Sequence, residues 1–209
     1  MSANNQLAPS LVLASGSVVR ATLLRQAGID FHVQNSQVDE DIIKENFADS
    51  DIDELALRLA AAKAIAVSVE NAKTPDVSGA FVIGADQILS CEGARFDKPR
   101  NIAEARANLK TFRGRTHRLH SGIVLAQSGE IIWRHSSHAD LTMRNFSDDF
   151  LETYLASVGD KVMSSVGCYQ LEGPGIQLFE NIAGDYFTIL GLPLLPLLAE
   201  LRRRKVVTE

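Results

Sequence analysis

The 209-residue chain has few of the residues on which disulfide-rich and zinc-binding proteins depend, because it contains only two cysteines. Cys91 and Cys168 lie far apart and form no CxxC pair, so neither a zinc site nor a redox motif is indicated. The sequence also lacks an apolar run of the roughly 18 residues that a membrane span needs, and residues 1–9 lack the apolar core of a signal peptide. We therefore expect a cytoplasmic protein with reduced thiols and no membrane partner.

Positive charge is also scarce, since 21 Lys and Arg face 26 Asp and Glu and the net charge is −5. A duplex-binding surface needs a dense basic face, whereas the only basic run here, residues 202–205, suits the C-terminal end of a helix. We therefore expect no nucleic-acid partner. Four of the five histidines form two HxxH pairs, but residues three apart on a strand point to opposite faces, which argues against zinc chelation by His117 with His120 or by His135 with His138.

Segments with the apolar spacing of strands and of helices mix along the chain. Strands are predicted over residues 11–14, 80–84, 121–126, 130–134, 139–144, 176–179 and 187–190, with a hairpin turn at 127–129. Helices are predicted over residues 18–27, 53–70 and 101–112, after Ser147 and after Pro193. No linker or repeat interrupts this order, so we expect one α/β domain over residues 10–205 with a mixed sheet, preceded by a polar tail over residues 1–9.

Polar residues break the apolar pattern at three strand ends, which is where ligands tend to bind in α/β proteins. The first stretch is Ser15-Gly16-Ser17 with Arg20, at the start of a predicted helix whose N–H groups favour an anion. The second is Asp86-Gln87, and the third is the glycine-rich segment 167–175. The last two also have a plainer interpretation: Asp86 as a turn or cap residue, and the glycine-rich segment as a tight turn.

The three stretches belong to a longer series of motifs that resembles the Maf family. The segment LASGSxxRxxLL at residues 13–24 resembles the opening motif of that family, which normally reads ASxSPRR. Further matching blocks follow in family order from residue 11 to about residue 200: Val38-Asp39-Glu40, Lys63 in AAAKA, Gly84-Ala85-Asp86, Asp97-Lys98-Pro99 where the family usually has GKP, Gly114-Arg115-Thr116-His117, residues 167–175, Gly184-Asp185-Tyr186 and Gly191-Leu192-Pro193.

The resemblance implies a fold similar to that of inosine triphosphatase: an elongated, twisted mixed sheet flanked by helices, with two lobes around a cleft. It also implies hydrolysis of a nucleoside triphosphate to the monophosphate and pyrophosphate, with Mg²⁺ or Mn²⁺ as cofactor. The triphosphate is then the partner that we expect, and a homodimer is the one assembly that we retain as a hypothesis.

The family match assigns Asp86 as the base that activates water, and Asp86 with Glu40 as oxygen ligands for the metal. The phosphates would be bound by cations and hydroxyl groups, because a buried triphosphate must be neutralised; these are Ser15, Ser17, Arg20, Lys63 and Lys98. Two alternatives stay open at this stage. Lys63 could belong to a solvated helix face, and Lys98 could be an ordinary loop cation.

Three positions distinguish subtypes of the family. The dTTP/UTP type has Arg at the position of Val19, Thr after the catalytic Asp and Gln at the position of Glu172, whereas the 7-methyl-GTP type has Trp, Gln and Glu. This chain has Val19, Gln87 and Glu172, and so matches the second type at two of the three positions. A carboxylate suits the N–H donors of a guanine edge, which N7 methylation strengthens, while it would repel the carbonyl oxygens of thymine and uracil.

The sequence therefore predicts a nucleoside triphosphate pyrophosphatase that prefers 7-methyl-GTP. A pyrophosphatase of the dTTP/UTP type is one alternative. A second alternative is a nucleotide-sensing regulator of septum formation with weak hydrolysis, since Maf proteins are also associated with septum arrest. The enzyme is favoured over the regulator because Asp86, Glu40 and both lysines are present.

Overall fold

A computed structural model of the protein describes residues 10–48, 51–74 and 77–208; the predicted tail, residues 1–9, lies outside this range. The strands are β1 Leu11–Leu13, β2 His32–Val33, β3 Phe81–Cys91, β4 Ala94–Phe96, β5 Thr116–Gln127, β6 Glu130–Met143 and β7 Phe179–Ala183. The helices are α1 Val18–Gln26, α2 Glu40–Glu45, α3 Ile52–Asn71, α4 Ile102–Phe112, α5 Asp148–Val158, α6 Tyr186–Ile189 and α7 Leu194–Arg203, with 3₁₀ helices at Gly159–Ser164 and Pro174–Leu178. In these described ranges no helix is long and apolar enough to cross a membrane.

The described strands form one seven-stranded sheet in the order β2-β1-β3-β5-β6-β7, with β4 paired to β3. Strand β1 runs parallel to both β2 and β3, whereas β4 is antiparallel to β3 and β7 is antiparallel to β6. The predicted α/β fold with a mixed sheet flanked by helices is confirmed. The predicted hairpin is confirmed too, because Ser128 and Gly129 between β5 and β6 both have positive φ, as a tight hairpin turn requires.

Two predicted strands in the last third of the chain are wrong. Residues 176–179 lie mostly in the 3₁₀ helix Pro174–Leu178, and residues 187–189 lie in the short helix α6, with Leu190 as its C-cap. The carboxylate of Asp185 caps α6 by accepting hydrogen bonds from the backbone N–H of Thr188 at 2.8 Å and from its hydroxyl at 3.1 Å. Four-residue segments with three apolar side chains fit a strand and a buried helical turn equally well, and the Asp185 cap favours the helix at α6.

Contacts divide the chain into two compact units. Unit 1 comprises the described residues up to 86, with 121–137 and those from 191 onward, and unit 2 comprises residues 87–120 and 138–190. The core of unit 1 joins small side chains of α3, among them Ala60 and Ala64, to valines and alanines of β1, β3 and β5. The core of unit 2 packs α4 and α5 on β5 and β6 and contains larger aromatic residues, including Phe112 and Tyr169.

Candidate active site

The loop between β1 and α1 is ordered by its two serines. The Ser17 hydroxyl caps α1 by accepting a hydrogen bond from the backbone N–H of Arg20 at 3.3 Å. The hydroxyl of Ser15, which is buried, accepts from the backbone N–H of Ser17 at 3.3 Å. Each hydroxyl therefore acts as an acceptor, and within the described residues neither donates its hydrogen. A bound anion could accept from both.

Arg20 connects three parts of unit 1. Its Nε donates to the carbonyl of Gly191 at 2.7 Å, and one terminal nitrogen donates to the Ser15 hydroxyl at 3.1 Å and to the carbonyl of Ala85 at 2.8 Å. The other terminal nitrogen has no hydrogen-bond partner in the described part of the chain. Half of the guanidinium thus fixes the serine loop beside the residue that precedes Asp86, and the other half has N–H donors that could bind an anion.

Glycines allow α3 to lie directly on the sheet. A methyl group at Gly84 would overlap the carbonyl oxygen of Ala60, and one at Gly122 would lie 2.5–2.6 Å from the backbone of Ala56. Gly84 and Asp86 are two residues apart on β3 and so point to the same face, while Lys63 shares a helical face with Ala60. The close approach at Gly84 therefore brings the Lys63 side chain to Asp86.

Lys63 forms ion pairs with both predicted metal-binding carboxylates. Its Nζ lies 2.6 Å from Oδ1 of Asp86 and 2.8 Å from Oε1 of Glu40. Lys63 is 8% exposed and Asp86 is 7% exposed, so this pair is buried, whereas Glu40 at the start of α2 is partly open to solvent. The possibility that Lys63 lies on a solvated helix face is thereby removed.

Burial and nearby positive charges shift the pKa of the Asp86 carboxyl in opposite directions. Burial raises the pKa of the Asp86 carboxyl above its ordinary value, and the positive charges of Lys63 and Arg20 oppose that rise. Lys63 occupies Oδ1, and no other hydrogen bond to this carboxyl is formed by the residues that the structure describes. A buried carboxylate with one unoccupied oxygen and a raised pKa suits a general base.

The two carboxylates also fit a divalent metal. Because both contact one ammonium nitrogen, the contacting oxygens of Glu40 and Asp86 cannot be farther apart than the sum of the two distances. Mg²⁺ prefers hard oxygen ligands and is commonly held by one or two carboxylates together with substrate phosphates. No group of three or more metal-binding side chains is found in the described ranges. Glu40 and Asp86 are two hard oxygen donors that fit such a site.

The remaining predicted residues show several different environments. Lys98, between β4 and α4, and Glu172, in the glycine-rich segment, are exposed and have no ion pair or hydrogen bond among the described residues. Gln87 donates from its amide nitrogen to the carbonyls of Thr188 at 2.9 Å and Ile189 at 3.1 Å, and so supports α6. Val19 lies half-buried on α1 in unit 1. In unit 1 the structure brings Ser15, Arg20, Lys63, Glu40 and Asp86 together.

Two features of this cluster were not predicted from the residues themselves. Helix α2 was not predicted, although Asp39 followed by Glu40 and Asp41 is a typical helix start. The Asp39 carboxylate caps this helix by accepting hydrogen bonds from the backbone N–H groups of Asp41 and Ile42. The packing role of Gly84 was missed as well. Its signal was a glycine inside an apolar strand, which often marks a close approach of another backbone.

The fold and this cluster define a mixed α/β protein with a buried lysine–carboxylate centre beside the serine loop that precedes α1. A family model described as Maf-like protein matches residues 10–204. The chain therefore belongs to the Maf family, as its motifs predict.

Individual relatives agree with that membership. A 7-methyl-GTP pyrophosphatase of Brucella suis biovar 1 is 51% identical over 199 residues, covering 94% of this chain and 97% of that protein. A nucleoside triphosphate pyrophosphatase of Granulibacter bethesdensis is 48% identical over 200 residues, covering 95% and 98%. A solved dITP/XTP pyrophosphatase from Mycobacterium abscessus covers 94% and 95% at 12% identity, but its TM-score of 0.37 supports no conclusion.

Proposed function

We propose that this protein is a nucleoside triphosphate pyrophosphatase, which cleaves its substrate between the α- and β-phosphates. The observation that carries the proposal is the buried Lys63 bridge between Asp86 and Glu40, with Arg20 and the serine loop beside it. The names of the relatives from Brucella suis and Granulibacter bethesdensis support the same reaction.

Each residue has a role that follows from its contacts. The unoccupied oxygen of Asp86 takes a proton from the attacking water, which forms a new bond to the α-phosphorus. The bond between that phosphorus and the bridging oxygen breaks, and pyrophosphate leaves. Lys63, the free nitrogen of Arg20 and the hydroxyl hydrogens of Ser15 and Ser17 bind phosphate oxygens and stabilise the negative charge that they carry. Lys98 is proposed as a further phosphate cation, because its ammonium is exposed and unpaired among the described residues.

We propose Mg²⁺, or Mn²⁺ in its place, as the cofactor, held by Glu40 and Asp86. When bound, it would supply positive charge to the polyphosphate. The proposal rests on the closeness of these two carboxylates, which both contact Lys63 and each keep a second oxygen without a partner among the described residues.

We further propose 7-methyl-GTP as the preferred substrate. The relative that is 51% identical carries that name, and Glu172 presents an exposed carboxylate without a partner in the described part of the chain. Such a group can accept from the guanine edge of a cationic base. We propose the cytoplasm as the site of action because nucleotide pools lie there. The homodimer stays a prediction, for which sedimentation of the purified protein is the measurement.

The reaction is tested by phosphorus NMR on 7-methyl-GTP, GTP, dTTP and UTP incubated with the purified protein and Mg²⁺. We expect a monophosphate and pyrophosphate, formed fastest from 7-methyl-GTP, and no turnover in EDTA. A diphosphate and free phosphate would contradict the proposed bond cleavage. Fastest turnover of dTTP or UTP would instead make the protein a pyrophosphatase of that subtype, and negligible turnover of all four would favour a sensing role.

The metal site is tested by titrating activity with Mg²⁺ in Glu40→Gln. We expect this variant to need more Mg²⁺ than the wild type for half-maximal activity, because one oxygen ligand loses its charge. Glu45→Gln is the matched control, since Glu45 ends the same helix, is exposed and has no partner in the described ranges. Equal Mg²⁺ requirements in all three proteins would remove Glu40 as a ligand.

A further inference from the structure

Tyr169 organises the glycine-rich segment of unit 2. The Ser165 hydroxyl donates to the backbone carbonyl of Tyr169 at 2.6 Å and accepts from its N–H at 3.1 Å. A methyl group at Gly167 would overlap the Tyr169 ring, and one at Gly175 would lie 2.9 Å from the Tyr169 Cβ. The glycines at both ends of the segment are therefore in direct contact with this one side chain.

The residue before it, Cys168, needs such anchoring. Its φ is 62°, in the left-handed region that residues with a side chain seldom adopt. The Tyr154 hydroxyl donates to the Cys168 carbonyl at 3.1 Å and helps to hold this conformation. The segment thus keeps an unfavourable backbone shape because its neighbours fix it.

The Tyr169 hydroxyl forms a hydrogen bond with Nε2 of His117 at 2.8 Å. Both side chains are buried, and their rings contact Phe112 and Phe179. Burial lowers the pKa of His117 to about 4, so the imidazole is neutral near pH 7. Its Nδ1 has no hydrogen-bond partner in the described part of the chain. An unpaired polar atom in an apolar core is unfavourable, so stability alone does not account for a histidine here.

The turn that carries Glu172 directly follows Tyr169. The Gly173 N–H donates to the Gln170 carbonyl at 3.2 Å and closes a turn over residues 170–173, with Glu172 at its third position. A methyl group at Gly175 would lie 2.5 Å from that same carbonyl, which shows how tightly the base of the turn is packed. Because Tyr169 precedes Gln170, the position of its ring sets the base of the turn.

We propose that Tyr169 and His117 are positioning residues for base selection: their hydrogen bond fixes the turn that presents the Glu172 carboxylate to the nucleobase. The inference rests on the proposed preference for a methylated guanine nucleotide and adds the device that makes Glu172 selective. A carboxylate on a loose turn would lose directional hydrogen bonds to the base, because rigid support is what holds a binding group in its productive geometry.

The test uses Tyr169→Phe, which keeps the ring and removes the hydroxyl. Two quantities are measured: amide hydrogen exchange of residues 170–176, and the ratio of dissociation constants for dTTP and 7-methyl-GTP by calorimetry in EDTA. We expect faster exchange in this segment and a loss of preference for 7-methyl-GTP of about fivefold, the effect of one ordinary hydrogen bond. His117→Leu should act in the same direction, and the double variant should be little worse than either single one.

Ser90→Ala is the matched control. It breaks a bond of the same kind in the same unit, between the Ser90 hydroxyl and Nε2 of His120 at 2.9 Å, and neither residue belongs to the glycine-rich segment. We expect unchanged exchange over residues 170–176 and an unchanged ratio in this variant. An equal change in the control would overturn the inference, because general loosening of unit 2 would then explain the result.

Unchanged exchange in Tyr169→Phe overturns the inference, whatever the affinities. Faster exchange with an unchanged ratio overturns it too, since the pair would then serve only the fold. A wild-type protein that binds both nucleotides equally would show that Glu172 selects nothing. Because binding is measured in EDTA, failure of the proposed hydrolysis would appear separately, as absence of pyrophosphate in the turnover assay.

Discussion

The candidate site charges of unit 1 and those of unit 2 show two opposite arrangements. In unit 1, Lys63 and Asp86 are buried and paired, and Arg20 is already bonded to a hydroxyl and two carbonyls. In unit 2, Lys98 and Glu172 are exposed and have no partner among the described residues. In the proposed function, the first arrangement supplies fixed charges to the reaction, whereas the charges of the second are paired by the substrate.

The buried pair in unit 1 is a weak source of stability. Removing two charges from water costs free energy that their attraction offsets only in part, so a buried ion pair is often no better than an apolar pair of the same size. Its presence is therefore better explained by the reaction than by the fold. By the same reasoning, exposed Glu172 adds little to stability and can vary with the base that is selected.

Asp86→Asn tests the cluster of unit 1 and has the largest expected effect on activity. The amide cannot take the proton and binds metal poorly, so kcat should fall by at least about 100-fold, as expected for the loss of a general base. Pyrophosphate release and the thermal unfolding midpoint are measured together. Retention of most activity in a folded variant would mean that Asp86 is not the base.

Gly84→Ala should disturb the cluster of unit 1 through packing alone. The added methyl group would overlap the Ala60 carbonyl, and we expect a loss in the free energy of unfolding of about 3 kcal/mol, at the upper end of overpacking effects. Denaturant titration measures it. The control is Gly173→Ala in unit 2, where the new methyl group would meet its nearest atom at an ordinary 3.7 Å; equal losses would refute the close approach of α3.

Glu172→Gln tests the proposed role of the exposed carboxylate in unit 2. It should reduce kcat/KM for 7-methyl-GTP by roughly 1.5–3 kcal/mol, as for the loss of a charge-assisted hydrogen bond, and should penalise dTTP and UTP much less. The measurement is the ratio of kcat/KM for the two kinds of substrate. If both rates fall equally, Glu172 serves the phosphates, the metal or the fold.

The next effect concerns the core of unit 2. His117 is neutral when folded at any pH above about 4, whereas in the unfolded chain it takes up a proton below its ordinary pKa of 6.5. The unfolding free energy should therefore decrease as pH falls through that window, by about 2 kcal/mol between pH 7 and pH 5 from this residue. Denaturant titrations at both pH values should show a smaller decrease in His117→Phe; an equal decrease would contradict the lowered pKa.

Much of the fold could be predicted from the sequence, because long segments with clear periodicity, such as those of α3, α4 and α5, form the helices that they indicate. The strands predicted over residues 176–179 and 187–190 are wrong, since a four-residue segment with three apolar side chains fits two structures. Strand β3 also continues to Cys91, so Asp86 lies within it and not at its end. The backbone pairing that carries the strand past a polar residue is long-range and leaves no local signal.

The site was predicted unevenly for the same reason. The serine loop before α1 has its own signals: a short apolar strand, small polar residues and a helix start. Lys63 has no such local signal, because a lysine in an alanine-rich helix has the same sequence context whether it faces solvent or a carboxylate. Only the family resemblance identified it. The roles of Tyr169 and Gln87 depend on partners that lie far away in the sequence.

We propose that the cluster around Lys63 performs the reaction while the turn of Glu172 selects the base. The most direct test is Lys63→Met, with kcat/KM measured for both 7-methyl-GTP and dTTP and with Lys63→Arg as the variant that keeps the charge. We expect a loss of at least about tenfold on both substrates in Lys63→Met, smaller in Lys63→Arg, with the ratio between substrates unchanged. Undiminished turnover, or a loss confined to one substrate, would contradict the account.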